Sequence, residues 1–131
     1  MSGHQVPENL KYTKEHEWIQ IDDDCAAIGI TDYAQSSLGD IVFVELPEVG
    51  RVLKQGETFG VVESIKSVSD LYSPLAGEVI EVNTQLENSP ELCNEAPYDH
   101  WMIKIKLPAT KDHPKLSSLL NHQEYKDLCR E

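Results

Sequence analysis

Thr58-Phe59-Gly60-Val61-Val62-Glu63-Ser64, then Ile65-Lys66, then Ser67-Val68-Ser69-Asp70-Leu71-Tyr72 decide the fold. Two strand-like segments, rich in β-branched and aromatic residues, flank a two-residue link, which is the pattern of a hairpin. Gln55-Gly56 before it and Ser73-Pro74-Leu75-Ala76-Gly77 after it are turn compositions. A tight turn at the link thrusts Lys66 outward at the tip. A lysine on a turn carries no meaning alone; its surroundings give it one.

The same grammar continues outward. Glu17 to Ile21 and Cys25 to Ile30 read as strands parted by Asp22-Asp23-Asp24. Ile41 to Leu46 is a strand stopped by Pro47-Glu48-Val49-Gly50, and Val52-Leu53 and Gly77 to Asn83 add two more. Trp101 to Leu107 alternates, with apolar residues at the odd positions, as a half-buried strand does. Strands about every ten residues predict a mainly β fold, a flattened barrel or sandwich. Thr31 is a good N-cap for a short helix over Asp32 to Leu38, and Gly39 ends it. Pro108 and Pro114 bracket a loop, and Leu116, Leu119 and Leu120 have helical spacing. Asn121 with Glu124 three residues on resembles a capping box, so a C-terminal helix starts there and runs to the end. The turns 46–50 and 73–77 echo each other weakly. The organisation expected is a tail over residues 1–9 and one domain over 10–131.

The chain of 131 residues suits a single domain with its own core. Acidic residues number 23 against 11 basic, a net charge of -12. A polyanion binder needs a basic face, so nucleic acid is excluded. Solubility alone accounts for such a charge; a soluble carrier steered to electropositive docking surfaces accounts for it equally. No apolar run is long enough to span a bilayer, and Met1 to Leu10 has neither a basic head nor a hydrophobic stretch. Cys25, Cys93 and Cys129 are scattered, as reduced thiols in a bacterial cytoplasm would be.

Catalytic and metal motifs are missing. His4, His16, His100, His113 and His122 show no metal spacing, and HExxH, CxxC, GxSxG and phosphate-loop patterns do not occur. Glu15-His16-Glu17 sets two carboxylates around an imidazole. In an extended strand Glu15 and Glu17 share a face and His16 takes the other, most simply as a solvated strand start. A carrier or binding module fits better than an enzyme.

The hairpin resembles the attachment hairpin of lipoyl and biotinyl carriers, whose fold is a barrel-sandwich hybrid. Biotin carriers typically flank their lysine with Met, and lipoyl domains of oxo-acid dehydrogenases typically place Asp before it. Here Glu63-Ser64-Ile65-Lys66-Ser67 matches the pattern of the glycine cleavage H-protein family. Leu10-Lys11-Tyr12, His16-Glu17-Trp18, Gly29 to Gln35 and Leu38 to Pro47 are similar to that family too. So are Gly77 to Asn83, Leu86, Pro90, Leu92, Asn94, Pro97-Tyr98 and Trp101 to Ile105. The likeness covers roughly residues 10 to 130. One departure is Tyr98-Asp99-His100-Trp101, short and without the glycine usual before the tryptophan.

The resemblance implies lipoic acid in amide linkage on Lys66, within a recognition segment of Glu63, Ser64, Ile65 and Ser67. It implies a carrier, not an enzyme. An aminomethyl group would be loaded by a pyridoxal-phosphate glycine decarboxylase (P protein). An aminomethyltransferase (T protein) would take it up, and dihydrolipoyl dehydrogenase (L protein) would reoxidise the dithiol. A lipoyl or octanoyl transferase, or a lipoate ligase, would attach the group. It also implies a cleft near Glu17, Asp70 and Ser73 that shelters the aminomethyl cargo. There a carboxylate would hold the amine as ammonium, Glu17 first and Asp70 next. No metal, membrane or nucleic-acid partner is expected, and a monomer is the simplest form for a shuttle. Rivals are a relay passing lipoate to other enzymes, an acyl-carrying domain of another complex, and an unmodified interaction module.

Overall fold

The computed structural model describes residues 5–22, 24–107 and 119–129. Among the described residues nine strands run β1 Lys11–Tyr12, β2 Glu17–Asp22, β3 Cys25–Ile30, β4 Ile41–Glu45, β5 Val52–Leu53, β6 Thr58–Ser64, β7 Val68–Tyr72, β8 Gly77–Val82 and β9 Ile103–Lys106. The helices are α1 Asp32–Leu38, α2 Thr84–Asn88, α3 Leu92–Glu95 and α4 His122–Leu128. One sheet has the order β1-β2-β3-β9-β8-β5 and the other β4-β6-β7, all neighbours antiparallel. The mainly β expectation holds, as two sheets and not a closed barrel.

The main core lies between the sheets, from Ile19, Ile28, Val44, Phe59, Val62, Leu71, Val79 and Ile105 among others. A second cluster on the far side of β2 and β3 joins Leu10, Tyr12, Trp18 and Ala27 to Tyr125 of α4. Cys25 to Ile30 is a nearly unbroken apolar run because β3 is covered on both faces. The residues Gln5 to Pro7 lie against this body. Gln5 N donates to Asp32 Oδ2 at 2.9 Å, and the Tyr98 and Tyr12 hydroxyls donate to Gln5 O and Pro7 O at 2.6 Å each.

Local chemistry placed the helix ends. The Thr31 hydroxyl accepts from Ala34 N at 3.1 Å, capping α1, and Gly39 closes it with φ +81°. Asn121 and Glu124 form the reciprocal capping box of α4.

Two expectations need correction, and two further observations are explained by the structure. Leu119 and Leu120 are not helical; Leu120 bridges Tyr12, so their spacing reflects packing beside β1. Leu116, and the loop between Pro108 and Pro114, lie outside the described residues. Alternation in the last strand begins at Ile103. Met102 is fully buried, whereas Trp101 is off the strand and half-buried under the Lys104 ammonium, 4.7 Å away. The two Pro-x-x-Gly turns differ physically. Gly50 has φ +101°, while at Gly77 the Lys106 carbonyl oxygen stands 2.6 Å from where a Cβ would be. The shortened loop at Tyr98 is a tight turn closed by Asp99 N donating to Ala96 O at 3.1 Å. No residue in it has positive φ, so no glycine is required.

Candidate functional site

β6 and β7 form the expected hairpin, with Glu63 paired to Val68 and Lys66 exposed at the tip. Two-residue hairpin turns normally need positive φ, which β-branched Ile65 resists. Neither Ile65 nor Lys66 has it. The Ser64 side chain supplies the alternative. Its Oγ accepts from Ser67 N at 3.1 Å and from Lys66 N at 3.3 Å, while Ser64 N donates to Ser67 O at 2.8 Å. Ile65 N donates to Asp40 O at 3.1 Å, tying the tip to the chain that leads into β4. The lysine stem crosses Gly39, with Cε 3.5 Å from where a Cβ would sit.

The outward face of the small sheet continues from this tip. Phe43, Glu63 and Val68 pair across it in one row, and Glu45, Val61 and Asp70 in the next. Val42, Phe43, Ile65 and Val68 are exposed, so an apolar patch interleaved with carboxylates surrounds the lysine.

Glu17 is where sequence reasoning met its largest surprise. It is 2% exposed, while Glu15 is exposed. They do not share a face, because His16 has φ +69° and turns the chain, so the solvated strand start is overturned. Glu17 Oε2 accepts from Tyr72 N at 3.0 Å, linking the two sheets, and Oε1 accepts from the Thr13 hydroxyl at 3.0 Å. Among the described residues it has no cationic partner. Burial outweighs these hydrogen bonds and pushes its carboxyl up to about 7. Asp70 lies two residues before Tyr72, exposed, on the strand that runs back to the tip. Ser73 is buried and its hydroxyl donates to Leu75 O at 2.7 Å, closing the turn.

Thr13 and Tyr125 went unnoticed in the sequence. Thr13 Oγ1 also accepts from Glu17 N at 3.1 Å, so one hydroxyl holds both ends of Glu17. The Tyr125 hydroxyl lies 2.8 Å from His16 Nδ1 and 2.7 Å from Thr31 Oγ1. The Tyr125 ring stacks on Tyr12, and burial lowers the His16 pKa. α4 thereby fixes the turn that carries Glu17. No short motif marks the Tyr125 contacts, since their partners are far apart in sequence, and the nearby Thr13–Glu17 pair depends on the turn at His16.

A family model for the glycine cleavage H-protein matches residues 10–131. The chain belongs to the glycine cleavage H-protein family. Among curated relatives, the glycine cleavage system H protein of Staphylococcus carnosus is 53% identical over 127 residues, 96% of this chain and 98% of that one. That of Staphylococcus epidermidis is 52% identical over the same length. The crystal structure of a glycine cleavage system H protein from Mycobacterium marinum superposes with TM-score 0.83 at 39% identity, over 93% of this chain and 97% of that one. Family membership gives the chain the lipoyl-carrier role of the glycine cleavage system and does not favour the relay alternative.

Proposed function

We propose that Lys66 carries lipoic acid in amide linkage and shuttles an aminomethyl group between glycine decarboxylase and aminomethyltransferase, with dihydrolipoyl dehydrogenase restoring the disulfide. The observation that carries this reading is the exposed lysine on a reinforced hairpin tip. The dithiolane supplies the sulfur chemistry; the chain supplies position and shelter. Glu63, Ser64, Ile65 and Ser67 shape the tip that a lipoyl or octanoyl transferase, or a lipoate ligase, would read. The chain itself performs no catalysis in this reading and acts as a cytoplasmic monomer. Incubation with lipoate ligase, lipoate and ATP, followed by peptide mapping, tests the site. Lipoate on Lys11, Lys14 or Lys54 would sink it.

Glu17 shelters the cargo. A buried carboxylate held only by neutral donors is short of one cation, and a protonated aminomethyl amine is one. An amine kept as ammonium has no lone pair with which to expel sulfur, so the adduct survives transit. Asp70 stands on the path between the tip and Tyr72, a strand spanning about 13 Å. Ser73 holds the turn that follows Tyr72. Ammonia release from the isolated loaded chain measures the shelter. Glu17→Gln releases it faster with lipoylation intact; equal rates for the parent, Glu17→Gln and Asp70→Asn would remove both acids from this role.

The apolar and acidic face around Lys66 suits partner enzymes with an apolar patch in a basic rim. Lipoylation removes the lysine charge and deepens that contrast.

A further inference from the structure

We propose that Asn94 is a positioning residue for the Lys66 arm, clamping the segment Gly39–Ile41 on which the hairpin tip rests. The proposal rests on Lys66 being the attachment site. Asn94 sits on α3, whose neighbouring Cys93 is buried in the main core. Its side chain spends two hydrogen bonds on the segment Gly39–Ile41 and a third on α1. Oδ1 accepts from Ile41 N at 2.8 Å, and Nδ2 donates to Gly39 O at 2.8 Å and to Gln35 Oε1 at 3.0 Å. The orientation of the amide follows from its partners, because a backbone N–H can only donate and a carbonyl only accept.

What it clamps is the floor of the site. Gly39 ends α1 under the lysine stem, Asp40 O receives Ile65 N from the tip, and Ile41 opens β4 opposite Ser64. Asp40 O is the tip's tie to chain outside its own hairpin. An arm that must enter several active sites has to swing from a fixed pivot, or each enzyme meets a spread of starting positions. The Asn94 side chain thus joins α3 to Gln35 of α1, to the Gly39 carbonyl and to the Ile41 amide of β4, on either side of the Asp40 carbonyl that receives the tip.

The test uses amide hydrogen exchange on the unmodified chain, followed by lipoyl transfer with lipoate ligase, lipoate and ATP. Asn94→Ala should speed exchange at Ile65 about tenfold, as expected for the loss of part-buried hydrogen bonds, with Ile28 in the core unchanged. KM for transfer onto Lys66 should rise while kcat holds. Asn94→Asp keeps an acceptor for Ile41 N without a donor for Gly39 O, and should fall between. Unchanged exchange at Ile65, equal acceleration at Ile28, or an unchanged KM beside faster Ile65 exchange would each overturn the clamp. Peptide mapping of the parent chain tests the attachment site by itself, so loss of that assignment and loss of the clamp give different results.

Discussion

Replacing Glu17 with Gln should stabilise the protein in alkali and leave it unchanged in acid. Burial raises the Glu17 carboxyl from the ordinary 4.5 to about 7. Below 4.5 the group is protonated in folded and unfolded chains alike, and its burial costs little. Between 4.5 and 7 only the unfolded chain ionises it, so stability falls as pH rises. Above 7 the loss is complete. At about 1.36 kcal/mol per pKa unit, the interval amounts to about 3 kcal/mol. Gln avoids it. Its carbonyl can accept from Tyr72 N and its amide can donate to Thr13 Oγ1, so the geometry survives. The gain of about 3 kcal/mol corresponds to a rise of roughly 10 °C in Tm for a chain of this size.

The assay is thermal unfolding of both chains from about pH 4 to about pH 9 by circular dichroism. The two melting curves should coincide at the acid end and separate through neutrality, with Gln the more stable. A separation independent of pH would mean that Glu17 does not titrate across this range. A Glu form that gains on Gln as pH rises would mean that its hydrogen bonds outweigh desolvation. Either result would refute the argument from burial.

Lys66→Arg should leave Tm unchanged, since an exposed tip side chain buries little, and should abolish lipoylation by intact mass. Gly77→Val places a Cβ against Lys106 O, so it should disturb the β8–β9 pairing, lower Tm and reduce modification; circular dichroism and mass spectrometry check both. Tyr125→Phe removes a buried hydroxyl shared by His16 and Thr31, and urea unfolding should show a loss of about 1–3 kcal/mol.

The hairpin, α1 and the α4 cap were legible because their signals are local: a two-residue link, a Thr and a Gly at helix ends, Asn121 with Glu124. α2 and α3 were not, because helices of four or five residues show no periodicity and are held by single buried side chains, Leu86 and Cys93. β1 has only two residues, which pair with β2 on one side while Tyr12 bridges Leu120 on the other. Lys66 stood out by its flanking pattern. Glu17 was named from resemblance, yet its burial could not be foreseen. An acid beside His16 looks solvated until the positive φ of His16 and the Tyr72 amide are seen. Tyr125 and Asn94 act at distances in sequence that no window spans, whereas Thr13 is four residues from Glu17 and meets it only through the turn at His16.

The placement of the unfavourable group is itself informative. Among the described residues Glu17 is the buried carboxylate, and the other acids are exposed or only partly covered. A fold that merely needed to join its sheets at Tyr72 N could use a neutral acceptor at less cost. In the proposed function, a carboxylate that is uncomfortable when empty and satisfied by an ammonium would convert that cost into affinity for protonated cargo. The hydroxyl of Thr13, the turn at His16 and the α4 helix behind Tyr125 hold the group rigidly, so it cannot escape to water. The arm pivot is clamped separately, through Asn94 and the Gly39–Ile41 segment. Rigid scaffold and mobile arm are thus divided between different residues. A change at Asn94 should alter how Lys66 is presented, and a change at Glu17 how long its cargo lasts.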